Sequence, residues 1–247
     1  MADTTIKTEI LIHDLKVPIS VIDAGAKSLL NRQDAYGPLT DKQIKVLKRI
    51  IRNALTTQRL VNDVLELGRS REGVMNYSDF SVSSLVTAVL VEVFDLADPN
   101  IAEIIRKIQD YEELLKAVDK VGVSLEFPKT AWESVVRQDP AKVRQILRNL
   151  VTNALKHRIE RIEIQGDVEH KNLILRVRDD GRGIALADHQ KIFKTYFTTG
   201  GSIENAISSH GLGLAGVMML LKDMGGNLCL NSEPGKGAEF IVEIPLC

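Results

Sequence analysis

The sequence predicts an α+β protein in two parts, a helical hairpin over residues 1–72 and an α/β sandwich over residues 73–247. Three features predict it. From Ile6 to about Arg71 the apolar residues recur every three or four positions, the period of a helix with one covered face. After Gly73, short apolar runs of strand length alternate with longer helical ones. Glycine gathers between those runs, at 181, 183, 200, 201, 211, 213, 225 and 226. The length allows one or two domains and suffices for a core, since a chain of this size buries roughly 70% of its unfolded surface.

In the first helix, Leu11, Leu15, Pro18, Ile22, Gly25 and Leu29 form the stripe. At 100° per residue they stay within about 40° of one direction. Tyr36-Gly37-Pro38 reads as a turn, and Thr40 with Gln43 as a capping box opening the second helix. That helix carries Ile44, Leu47, Ile51, Ala54, Gln58, Val61 and Leu65, of which only Gln58 is polar. Ile50, Leu60 and Val64 widen the stripe to a bundle-type face. One hairpin cannot enclose a core, so two copies forming a four-helix bundle, a homodimer, is the economical solution. In the second part helices are expected near 82–93, 99–120, 141–157, 188–194 and 214–224. Strands are expected near 123–127, 161–167, 172–178, 227–231 and 238–245, giving one mixed sheet covered by helices.

Composition narrows the function classes. Lys+Arg is 32 and Asp+Glu 33, a net charge of −1, so no electrostatic pull on nucleic acid follows. The mixture, 44% apolar and 26% charged, is that of a globular protein. The apolar run from Leu212 to Leu221 is too short to span a bilayer, and the N-terminus lacks the shape of a signal peptide. Cys229 and Cys247 are the only cysteines, too few for a disulfide framework or a zinc site. A cytoplasmic location is the expectation.

His13 lies about 200° from the stripe of the first helix, on the side of Lys16, Ser20 and Lys27. A histidine there is expected to face solvent. Asp14 follows it and can hold one imidazole nitrogen protonated, leaving the other free as nucleophile. Pro18, inside the helical pattern, removes a backbone hydrogen bond to Asp14 and is expected to bend the helix one turn past the histidine. Lys16 adds positive charge on the same side.

The second part contains no Walker-type phosphate loop. Asn149 and Asn153 stand four apart on one helix face, with Lys156 nearby. An amide oxygen suits Mg²⁺, and a lysine offsets phosphate charge. Asp179-Asp180-Gly181-Arg182-Gly183 follows an apolar strand. A carboxylate there can accept from an exocyclic amine, and Gly181 and Gly183 let the backbone approach a flat base, a combination that selects adenine over guanine. His210-Gly211-Leu212-Gly213-Leu214 opens a helix with glycines, where backbone N–H groups bind phosphate. Between them, residues 195–210 are rich in Ser, Thr, Gly and Asn, as a lid is. Taken singly, each reads equally as a polar helix face, a turn or a packing glycine.

Together, in this order, they resemble the phosphoacceptor box (His13-Asp14-Leu15-Lys16-Val17-Pro18) and the nucleotide-binding boxes of sensor histidine kinases. The latter include an F box at Ile192-Phe193 to Tyr196-Phe197. The resemblance covers essentially the whole chain. It implies a dimerisation and phosphotransfer hairpin followed by a Bergerat-type ATPase domain. It also implies ATP and Mg²⁺ as cofactors and a response-regulator receiver domain as partner. By resemblance His13 is the phosphorylated residue and Asp14 its general base. Asn153 holds Mg²⁺ with help from Asn149, Asp179 reads adenine, and Gly211, Leu212 and Gly213 line the phosphate loop.

The chain departs from the family pattern in places. Val17 stands where relatives with phosphatase activity carry Thr or Asn, so weak or absent dephosphorylation of the partner is expected. Thr195 to Leu221 contains no Lys or Arg, whereas relatives often place one in the lid; Lys156 and Lys194 are the substitutes at hand. Residues 96–111 look like an added helix, with Ile101, Ile104, Ile105 and Ile108 at helical spacing, packed on the sheet or serving as a docking surface. Two rival readings follow: a kinase-like dimer regulating by nucleotide occupancy, and an ATPase clamp. The clamp needs a glutamate about four residues before Asn149, where Gln145 stands. Only twelve residues precede His13, so a sensing region is expected upstream in a longer form or in a separate protein.

Overall fold

Two long helices, α1 (Ala2–Asn31) and α3 (Asp41–Arg71), run back along one another, joined by the short α2 (Gln33–Tyr36) and a turn at Gly37. This computed structural model describes residues 2–71, 75–189 and 213–247. The chain divides into two compact units, Met1–Glu72 and Gly73–Cys247. Gly37 takes φ +88°, which a side chain rarely tolerates, and its N–H closes α2 on the Gln33 carbonyl. The capping box forms as expected: Gln43 N–H donates to Thr40 Oγ1 (3.3 Å) and Thr40 N–H to Gln43 Oε1 (2.8 Å).

Along α3 the expected stripe faces inward, with Ala54 buried and Ile44, Leu47, Ile51, Gln58 and Val61 half-buried; the side chain of Leu65 lies outside the described residues. Gln58 is polar because its Nε2 donates to Ser20 Oγ of α1 at 2.8 Å. On α1 the inward face differs from the expected stripe. Ile19 and Ala26 are buried against α3, whereas Leu15, Ile22 and Leu29 are 44%, 52% and 39% exposed. Two helices can cover only one flank of each other, so the wider apolar surface of α1 remains open in a single chain. The side of Lys16, Ser20 and Lys27 is likewise not pure solvent, since Ser20 bonds α3. α1 continues through Pro18.

The second unit is built on two sheets, not one. β1 (Ser78–Ser81) pairs antiparallel with β3 (Val135–Gln138). The main sheet runs β2-β4-β5-β7-β6, comprising β2 (Val123–Glu126), β4 (Ile162–Glu169), β5 (Asn172–Asp179), β6 (Asn227–Ser232) and β7 (Ala238–Pro245). β2 is parallel to β4 and the other pairings are antiparallel. Alternate residues of β4, β5 and β7 are buried, among them Ile162, Ile164, Leu173, Leu175, Val242 and Ile244, as a sheet covered on one face requires.

That face carries helices. α4 (Val82–Ala97) is capped by Ser81, and α8 (Pro140–His157) by Asp139 with Pro140 at its first position. α9 (Gly213–Met224) lies against α8. The expected helix over 99–120 is two. α5 (Pro99–Lys107) ends at Ile108, which is extended, and α6 (Tyr111–Asp119) restarts on Asp110, whose Oδ1 accepts from Glu113 N–H at 3.0 Å. α5 packs on α4 rather than on the sheet, burying Ile101, Ala102 and Ile105, while Arg106 clasps Asp95 at 2.6 Å. A short α7 (Lys129–Trp132) follows β2, and a helical turn at 186–189 begins the segment expected near 188–194. The F box, the lid at 195–210, Gly211 and Leu212 lie outside the described residues.

Candidate functional site

A cavity of about 740 Å³ opens between α8, α9 and the ends of β5 and β7, within the range of small-molecule sites. Its position follows from local sequence. The apolar face of α8, from Val143 through Ala154, is buried in the core, which turns Asn153 and Lys156 to the cavity side. Asn149, one turn earlier, does not line it. α9 begins at Gly213, and its second residue, Leu214, is a wall residue. The cavity therefore has the N-terminal end of a helix beside it, where unpaired N–H groups and the positive end of the dipole favour an anion.

Asp179, the last residue of β5, is only 5% exposed. One carboxylate oxygen accepts the Gly181 N–H at 2.9 Å, and the Ala238 N–H also donates to the group. Burial pushes the pKa of Asp179 up, outweighing the lowering by those backbone donors and by His157. Two carboxylate oxygens offer about four acceptor positions, so capacity remains for an amine in the cavity. Asp180 points the other way. It accepts from the N–H groups of Ile159 (2.8 Å), Glu160 (3.0 Å) and Arg161 (3.0 Å). Its pKa is lowered: desolvation acts upward, and these backbone donors together with the N–H of Asp180 itself overcome it. Adjacent aspartates thus divide into one that faces the cavity and one that staples the chain after α8 to the end of β5.

The glycines behave as a close approach demands. A Cβ on Gly181 would meet the His157 carbonyl, and one on Gly183, which has φ +67°, would meet the Glu233 carbonyl. The loop they permit is fixed by Ile184 N–H to Ser232 Oγ (2.8 Å) and Gly235 N–H to the Arg182 carbonyl (2.7 Å). Sequence reasoning missed the apolar walls, Ile159, Ile184, Ala238 and Phe240. The alternation of β7 puts Ala238 and Phe240 on the covered face and was the available signal. It also missed the cationic rim of Arg158 and Arg182, with His157 beside them. Arg158 is partly committed, its Nη1 donating to the carbonyls of Val121 (2.8 Å) and Gly122 (3.2 Å).

An apolar slot with one buried carboxylate, a cationic rim and a helix N-terminus can take a flat amine-bearing base at one end and an anionic group at the other. Among the described residues no cluster of His, Cys, Asp or Glu could hold a metal unaided. The single amide oxygen of Asn153 fits a Mg²⁺ that arrives with phosphate and water as its other ligands. On the hairpin, His13 lies on α1, its side chain outside the described ones, and Asp14 is exposed. Both cysteines are free, and no described helix is long and apolar enough to cross a membrane.

Comparison with known proteins places both units. The profile of the His kinase A phospho-acceptor domain matches residues 9–73, and that of histidine kinase-, DNA gyrase B- and HSP90-like ATPases matches residues 138–247. Over 241 residues the chain is 30% identical to the circadian input-output histidine kinase CikA of Synechococcus elongatus, covering 94% of this chain and 29% of that protein. It is 27% identical over 252 residues to the sensor protein GacS of Pseudomonas syringae pv. syringae, covering 98% and 25%. The chain thus spans about a quarter to a third of such relatives. The fold matches full-length ShkA, solved in complex with AMPPNP (TM-score 0.61, 24% identity, 98% of this chain and 46% of that one). It also matches the Acinetobacter baumannii histidine kinase AdeS (TM-score 0.54, 21% identity, 95% and 98%).

Proposed function

The chain belongs to the sensor histidine kinases, and we propose that it is an ATP-dependent autokinase that phosphorylates His13 and passes the phosphoryl group to an aspartate of a response-regulator receiver domain. The observation that carries the reading is the pairing of a phosphoacceptor helix bearing His13-Asp14 with a cavity whose polar groups suit Mg·ATP.

In the cavity Asp179 accepts from the adenine six-amino group, and Ile159, Ile184 and Phe240 enclose the ring. Lys156 and the N-terminus of α9 receive the phosphates, with Gly211, Leu212 and Gly213 supplying N–H groups. Asn153 would hold the Mg²⁺ of Mg·ATP on the protein side, and Asn149, which does not line the cavity, is left out of that role. The neutral imidazole of His13 attacks the γ-phosphorus in line. A nitrogen–phosphorus bond forms, the bond to the β,γ-bridging oxygen breaks, ADP leaves, and Asp14 takes the proton from the other ring nitrogen. Positioning and charge neutralisation supply the rate. The α1 surface exposed in one chain is the face by which two copies form a bundle.

Val17 is 53% exposed and cannot orient a water, so slow dephosphorylation of the receiver is expected. The test of the transfer step is to load the chain with labelled ATP, remove the nucleotide and add a purified receiver domain. Label should leave the kinase and appear on the receiver as an acyl phosphate. Label that stays on the kinase with every receiver tried would contradict the transfer step.

A further inference from the structure

Lys142 is the one lysine in the described core, 1% exposed in the first turn of α8, and it does not line the nucleotide cavity. Its Nζ reaches Asp223 Oδ2 at 3.4 Å and Met75 Sδ at 3.1 Å. Lys142 is in the first turn of α8, where the N–H groups of Ala141 (3.1 Å) and Lys142 (3.2 Å) are already taken by Asp139 Oδ1, and Asp223 is in the last turn of α9. The pair ties the start of one helix to the end of the other. A buried ion pair is weak evidence for added stability, and what it offers is a fixed arrangement.

What the pair joins explains it. α8 carries Asn153 and Lys156 to the cavity, and α9 opens beside the same cavity at Gly213-Leu214. α9 is 12 residues long, about 18 Å at the standard rise, with Val217, Leu220 and Leu221 buried along it. A rigid helix held at its far end by Lys142 keeps its near end aimed, and a tilt there displaces the N–H groups that would meet phosphate. The segment entering this unit shares the anchor. Met75 touches Lys142, and the Asn76 N–H donates to Asp139 Oδ2 (2.9 Å) while Oδ1 caps α8.

We infer that Lys142 is a positioning residue for phosphate binding: through Asp223 it fixes α9 on α8 and so sets the phosphate end of the cavity. This rests on the reading of the cavity as an ATP site. The test is calorimetric titration of the full chain with a non-hydrolysable Mg·ATP analogue and, separately, with adenosine. In Lys142→Met and Asp223→Asn, affinity for the triphosphate should fall about fivefold or more, adenosine affinity should hold, and Lys142→Arg should recover the loss. Asp223 is partly exposed, so its variant carries the comparison if Lys142→Met melts too low to titrate. Equal losses for both ligands, or unchanged triphosphate affinity in folded variants, would overturn the inference. A wild-type chain that binds adenosine no more weakly than the triphosphate overturns it as well, and one that binds neither overturns the proposed function with it.

Discussion

At the residue scale, Asp179 and Asp180 show how one dipeptide divides its work. Asp179 is buried with a raised pKa, and Asp180 is bound by backbone donors with a lowered one. The two act oppositely on stability. Asp180, depressed in the folded state, contributes stability that is complete above its unfolded pKa and disappears as pH falls through the folded value. Asp179, raised in the folded state, contributes stability present below its unfolded pKa and lost as pH rises through the folded one. Two outcomes follow. Asp180→Ala should lower stability by about 1 kcal/mol at neutral pH and flatten the acid limb of a pH–melting series. Asp179→Asn should fold no less stably, yet lose more than tenfold in ATP affinity, since a charged acceptor at the amine is worth about 1.5–3 kcal/mol. Adenine-nucleotide affinity of the wild type should decline on acidification as Asp179 takes up its proton, at a pH higher than an ordinary aspartate would require, and titration from neutral to acid pH measures that. The sequence marked Asp179 as the candidate to read adenine, and the residue lines the cavity. The separation of the pair was not, because it depends on where the chain after α8 presents its N–H groups.

At the scale of elements, features stated by nearest neighbours were legible and features stated by partners were not. The Thr40–Gln43 capping box sits within one turn, and the structure contains it as read. Thr40→Ala should cost about 1 kcal/mol, read as a lower melting temperature of the hairpin with nucleotide binding unchanged. β1 and β3 escaped notice because each has four residues and a mixed composition. Only their mutual pairing makes them strands. The break between α5 and α6 was hidden by isoleucines at helical spacing (101, 104, 105 and 108), with the cap at Asp110 outweighed by periodicity. Ile108 shows the cost of that reading: it fits the helical spacing, yet stands extended past the end of α5. The added segment at 96–111 is a packed elaboration of α4, fixed by Arg106 on Asp95. Gln58, an exception in its stripe, proved to be a partner for Ser20, which no periodicity argument could supply.

At the scale of the molecule, the division into a helical unit and an α/β unit was visible in the change of period near Gly73, and both family profiles fall on either side of it. The apolar stripe of α1 was expected to be covered in a bundle of two copies, and in one chain it is an open flank, with Leu15, Ile22 and Leu29 exposed. A second copy would cover it. Light scattering should give a dimer for the full chain, and Ile22→Lys with Leu29→Lys should shift it to monomer while ATP still binds. A wild type that runs as a monomer at micromolar concentration would contradict the bundle. The central claim is that the cavity exists to phosphorylate His13. Incubation with γ-labelled ATP and Mg²⁺ tests it, comparing wild type with His13→Ala and Asn153→Ala. Label on the wild-type chain that is lost in acid, persists in alkali and is absent from both variants is the predicted result. ATP bound or hydrolysed without such label, or label that survives in His13→Ala, is the result that contradicts it.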